Sequence, residues 1–130
     1  MRLPAHLLQQ IIGRPVDHFA GSGHKRLLGR VDISKPASVF AMHGEVLDDP
    51  VSVTLRDVSA ETVGIVTPSA MMPSANFVVR VVLPDDQYLA IRCSVTRCSR
   101  RDDGRFQLVA EFLELVDPQT TFTLMGRSEK

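Results

Sequence analysis

From Val31 onward apolar and polar residues alternate with a period of two, and this pattern restricts what the chain can become more than any other feature. Val31 and Ile33 alternate with Asp32 and Ser34; Val51, Val53 and Leu55 with Ser52, Thr54 and Arg56; and Leu89, Ile91, Cys93 and Val95 with Ala90, Arg92, Ser94 and Thr96. A period of two sends successive side chains to opposite faces, so each run predicts a half-buried strand. Phe106, Leu108, Ala110 and Phe112 make another inward row, and residues 38–42, 63–66 and 77–83 read as shorter strands. Turn sequences separate them: Lys35-Pro36, His43-Gly44, Asp48-Asp-Pro50, Pro84-Asp-Asp86 and Asp102-Asp-Gly104, the last a strong hairpin signal. Many short strands with close turns predict a mainly β protein, a closed antiparallel six- to seven-stranded β-barrel whose closure removes exposed edges.

Both ends of the chain read as helical. Leu3, Leu7, Leu8, Ile11 and Ile12 recur at helical spacing, Pro4 suits a first turn, and Gly13 and Pro15 stop the run. This helix is too short, and too interrupted by His6, Gln9 and Gln10, to span a membrane or act as a signal peptide. The expectation is a cytoplasmic protein with no membrane insertion. Its apolar stripe is expected to pack on its own barrel; the alternative is docking on a partner helix or a second subunit, which makes a homodimer possible. Asp117 as cap, Pro118 as first position and Gly126 as stop predict a C-terminal helix, with Phe122 and Leu124 or Met125 turned inward to plug the barrel's open end. The organisation expected is an N-terminal helix with a flexible connector over residues 1–23, and the barrel with its C-terminal helix over 24–130. In Thr67–Asn76, Ala70-Met71-Met72 are expected to cap one barrel mouth, or to form an adaptable partner-binding loop.

Composition excludes several classes. A chain of 130 residues is one domain, long enough to bury a core without disulfides or metals. Lysine plus arginine equals aspartate plus glutamate, 15 against 15, whereas binders of DNA or RNA polymers usually carry a basic excess. Cys93 and Cys98 stand at an odd separation, which in a regular strand puts them on opposite faces, so they suggest neither a redox pair nor metal ligands, and free thiols suit a reducing cytosol. His6, His18, His24 and His43 show no metal-ligand spacing. Ser59 has no histidine near it, Asp57 has no spaced carboxylate partner, and no phosphate loop appears, so no catalytic residue, enzyme activity or cofactor is expected.

What remains is a binding function, and two segments carry it. Gly21 to Arg30 is a basic, glycine-broken stretch, expected to be a disordered arm that a ligand orders. Asp57 to Gly64 supplies a carboxylate and a hydroxyl at a strand end. Guanine presents O6 and N7, which a guanidinium fork meets bidentately, and N1–H and N2–H, which a carboxylate accepts. Arginine also stacks on purines and pairs with phosphate, so Arg26 and Arg30 suit different parts of a guanine dinucleotide, while Asp57 takes the base's other edge.

Arg26-Leu-Leu-Gly-Arg30 fits an RxxxR motif and Asp57-Val-Ser59 opens a [D/N]xSxxG motif; with the strand pattern after them, including Val81-Val-Leu-Pro-Asp-Asp86 and Arg105 to Leu115, the sequence resembles the PilZ domain over roughly residues 24 to 126. The resemblance implies a bacterial receptor for cyclic di-GMP that passes its signal to a protein partner. It implies ligand contacts from Arg26, Arg30, Asp57 and Ser59, with Lys25 as an extra phosphate or base contact. One position departs: the motif's last glycine falls on Thr62, and Gly64 comes two residues late. A glycine there would supply positive φ or close backbone approach, and a β-branched residue tolerates neither well. Thr62 and Gly64 are therefore both candidate ligand-binding positions. The alternative is a degenerate PilZ-like adaptor that binds proteins and no nucleotide.

Overall fold

The computed structural model describes residues 1–13 and 30–117. One helix, α1 (Ala5–Ile12), is followed by strands β1 (Val31–His43), β2 (Val46–Leu47), β3 (Val51–Val58), β4 (Thr62–Thr67), β5 (Asn76–Val82), β6 (Tyr88–Arg100) and β7 (Phe106–Val116). The sheet order is β2-β1-β3-β4-β7-β6-β5, and pairing of β1 with β5 closes six strands into an antiparallel barrel to which β2 adds an extra strand. Of the expected organisation, the connector and the residues of the C-terminal helix beyond Asp117 lie outside the described residues.

Two expected strands are one. Lys35-Pro36 is not a turn: Pro36 lies within β1 opposite Thr54. β1 meets β5 only from Ser38 on, so at Pro36 that edge has no ladder bond for the missing N–H to break, and a register shift between Asp32 and Lys35 absorbs the local irregularity. The other turn sequences do fall between strands. At the β6–β7 turn Gly104 takes φ 86°, and Asp103 accepts the Arg105 backbone N–H at 2.9 Å while pairing with the side chains of Arg101 and Arg105 at 3.3 and 2.9 Å. These bonds, the backbone one foremost, hold the Asp103 carboxyl below its ordinary value.

The barrel interior is filled by the inward rows, with Ile65, Phe77, Leu108 and Phe112 among its most buried members. Leu3, Leu8 and Ile11 of the N-terminal segment belong to the same core, and Leu7 and Ile12 pack at its edge. The Leu3 N–H donates to the Ala60 carbonyl at 2.6 Å, tying the start of the chain to the β3–β4 turn, and Gly13 ends α1 in the left-handed region at φ 81°. The amphipathic stripe therefore packs on its own barrel, and no described helix is long and apolar enough to cross a membrane. Of the methionine pair, Met71 packs against the core, but Met72 is 76% exposed and caps nothing.

Two positions depart from strict alternation. Ala90, on the nominally polar face, is buried on the barrel's outer side with Phe40, Leu47 and Val78. Cys98 does not oppose Cys93 across the sheet: a register shift between Val95 and Arg97 restores it to the inner face, opposite Leu108 and against the same core. Burial pushes the Cys93 thiol far above its ordinary value, so it behaves as a small hydrophobe.

Candidate functional site

The site begins with an irregularity in β3. Val53 and Leu55 point into the core, and strict alternation would send Asp57 after them. Instead the register shifts between Leu55 and Asp57: Leu55 faces Ile65 but Asp57 faces Gly64, leaving Arg56 as the bulged residue. Val58 consequently takes the inward place, opposite Val63, and Asp57 turns to the outer surface.

Gly64 makes that position habitable. A Cβ at residue 64 would lie 2.7 Å from both Asp57 carboxylate oxygens and 2.9 Å from Cγ, so the carboxylate rests where any other side chain would stand. Gly64 does not have positive φ; its role is space. Asp57 is 9% exposed, and Arg30, at the residue before β1, reaches it with Nε 3.3 Å from Oδ1. A mostly buried carboxylate without a compensating charge is costly, so the pair holds the entry of β1 against β3. Arg30 itself remains about half exposed, at 52% of its side chain.

Beside this pair, Ser59 organises the β3–β4 turn. Its Oγ accepts the N–H groups of Thr62 at 2.9 Å and Glu61 at 3.1 Å, and lies 2.8 Å from Thr62 Oγ1. A hydroxyl has two acceptor positions and one proton; with both acceptors taken by N–H groups, the Ser59 proton is left for Thr62, whose Oγ1 is the nearer acceptor and whose carbonyl is a longer one at 3.5 Å. The threonine is the first residue of β4 and does not have positive φ, so the strain expected of a β-branched residue here is absent. Thr62 and Gly64 do not compete for one role: the first extends a hydroxyl network, and the second is a floor.

The structure thus brings Arg30, Asp57 and Gly64 into contact, with Ser59 and Thr62 in the adjoining turn. Lys25 and Arg26 lie outside the described residues. Sequence reasoning missed Arg56, because a bulge has no signature in an alternating pattern until the partner strand is known.

The class of protein is thus a closed antiparallel barrel carrying a charged pair at a strand end, set over a glycine. The sequence pattern of the PilZ domain matches residues 24–124, and the chain belongs to the PilZ family. Among solved structures it is similar to the Bacillus subtilis inhibitor of motility (MotI/DgrA), with a TM-score of 0.53 and 13% sequence identity, over 73% of this chain and 46% of that one. The chain thus spans less than half of that protein's length, and at this identity the likeness concerns the fold. No curated protein matches the chain.

Proposed function

We propose that this chain is a cyclic di-GMP receptor that acts in the bacterial cytoplasm and hands its signal to a protein partner. The observation that carries the reading is the Arg30–Asp57 pair seated on Gly64: a guanidinium and a carboxylate at 3.3 Å, on a surface cleared of side chain. That combination suits a guanine, whose edges offer acceptors to arginine and donors to a carboxylate. Lys25 and Arg26 would add cations from the preceding segment. Family membership supports the ligand class. Titration calorimetry with cyclic di-GMP, with GTP and cyclic AMP as controls, tests it. Saturable heat from the cyclic dinucleotide alone, at micromolar concentration or below, is the expected result.

One observation favours the adaptor reading, in which no nucleotide binds. The Ser59 hydroxyl is fully engaged within its own turn, partly by Thr62. Silence in the calorimeter well above micromolar ligand would decide for the adaptor. The receptor reading makes a further prediction at Thr62. Thr62→Gly frees the Ser59 proton for a ligand and is expected to tighten cyclic di-GMP binding by about one neutral hydrogen bond, up to roughly tenfold. The added backbone freedom within a strand should at the same time lower stability by about 0.5–1 kcal/mol. Unchanged affinity in Thr62→Gly would mean that the Ser59 hydroxyl is purely a turn element.

A further inference from the structure

We propose that Arg97, on β6, is an additional ligand-binding residue of this site, a cation for the phosphate of the nucleotide on the side away from Arg30. The inference rests on the receptor reading. It starts from the register across three strand pairs: Asp57 faces Gly64, Gly64 faces Val109, and Val109 faces Arg97. Directly opposed residues in antiparallel ladders share a face. The neighbours of Gly64, Val63 and Ile65, and those of Val109, Leu108 and Ala110, all belong to the core, so this row runs along the outer surface.

A second irregularity creates the row. On β6, Leu89, Ile91, Cys93 and Val95 point inward, and strict alternation would place Arg97 with them. The register shift between Val95 and Arg97 sets Thr96 aside, sends Cys98 inward and turns Arg97 out. Separate bulges on β3 and β6 therefore aim an acid and a base onto the same transverse line. Bulges re-aim side chains next to functional sites more often than chance allows. The Asp57 carboxylate covers Gly64, so between that carboxylate and Arg97 lies only the half-buried Val109, an apolar step that suits the face of a purine.

Spacing and charge agree with this assignment. Neighbouring strands stand about 4.8 Å apart, so Gly64 and Arg97 are separated by on the order of 10 Å, leaving room for a base between them. Arg101 and Arg105 are tied to Asp103, and Arg92 to Glu114, whereas Arg97 forms no ion pair among the described residues. Glu111 shares the outer face one row nearer Thr62, opposite Ser94, and repels a phosphate at that end. With Arg30 and Asp57 holding a guanine at one end of the row, Arg97 at the other end is placed for a phosphodiester of the cyclic dinucleotide.

The test is calorimetry with cyclic di-GMP on the full chain and on Arg97→Ala, Arg97→Lys and Arg100→Ala. Arg100 loses the same charge from the same strand but faces Phe106, off the row, and is the control. Arg97→Ala is expected to weaken binding about tenfold, the value of one charge-assisted contact, and Arg97→Lys to stay within about threefold of the parent, since a phosphate accepts a point charge. Arg100→Ala should bind like the parent, and thermal melting should be unchanged throughout. A parent protein that binds while Arg97→Ala binds equally well overturns the assignment and leaves the receptor reading standing. So does equal weakening in Arg97→Ala and Arg100→Ala, or Arg97→Lys as weak as Arg97→Ala. A parent that does not bind removes both.

Discussion

Alanine in place of Gly64 is expected to weaken cyclic di-GMP binding by at least about tenfold, and valine by about a hundredfold, the latter near 3 kcal/mol. An added Cβ would come within 2.7 Å of both Asp57 oxygens, closer than real contacts allow, and the group it meets is a short side chain rather than backbone. Asp57 can therefore swing away and the barrel survive, but the carboxylate leaves the place where it meets Arg30 and the base. Loss of the pair lowers stability, while alanine recovers some of the entropy that glycine loses on folding, about 0.5–1 kcal/mol, so the melting temperature should fall only slightly. The decisive measurement is a double-mutant cycle in calorimetry. If Gly64 acts by making room for the carboxylate, Gly64→Ala added to Asp57→Ala should weaken binding no further. Full additivity of the two losses would instead show that residue 64 touches the ligand itself.

The barrel was legible in the sequence because a period of two survives short interruptions: the inward rows through Leu55, Ile91 and Leu108 all reach the core. The amphipathic repeat of Leu3, Leu8 and Ile11 likewise gave the N-terminal helix and its packing. What alternation cannot carry is parity across a bulge. Arg56 and Thr96 each add one residue to their strand without changing the local hydrophobicity, and from those points on every side chain swaps face. The inward place of Cys98 and the outward place of Arg97 have that one cause. Pro36 reads as punctuation because proline breaks a ladder, yet at a strand edge without a partner there is no ladder bond to break. For the site, motif spacing gave Arg30, Asp57 and Ser59 but assigned the glycine by position in a turn. Its place was fixed by the residue opposite it, and opposition is a property of register.

Arg30→Ala is expected to reduce affinity for cyclic di-GMP by roughly ten- to a hundredfold, or about 1–3 kcal/mol, the value of a bidentate arginine contact to guanine. Nε already faces Asp57 at 3.3 Å, so the two terminal nitrogens are the part of the fork offered to a ligand. Arg30→Lys should not restore binding, because an ammonium cannot face the carboxylate and present a planar pair of donors together. This contrasts with the tolerance for lysine expected at Arg97 and separates base recognition at one end of the row from phosphate attraction at the other. An arginine on a solvated arm would be neutral for stability, but Asp57, whose side chain is 12% exposed, depends on this partner. Removing it strands a largely buried charge. Because Arg30 is half solvated, the expected cost is about 1 kcal/mol rather than the several expected of a fully buried pair, which lowers the melting temperature of a domain this size by about 3–5 °C. In an Asp57→Asn background the carboxylate is gone, and Arg30→Ala should then leave the melting temperature where it stands. An equal drop in both backgrounds would place the stabilising contact of Arg30 somewhere other than Asp57.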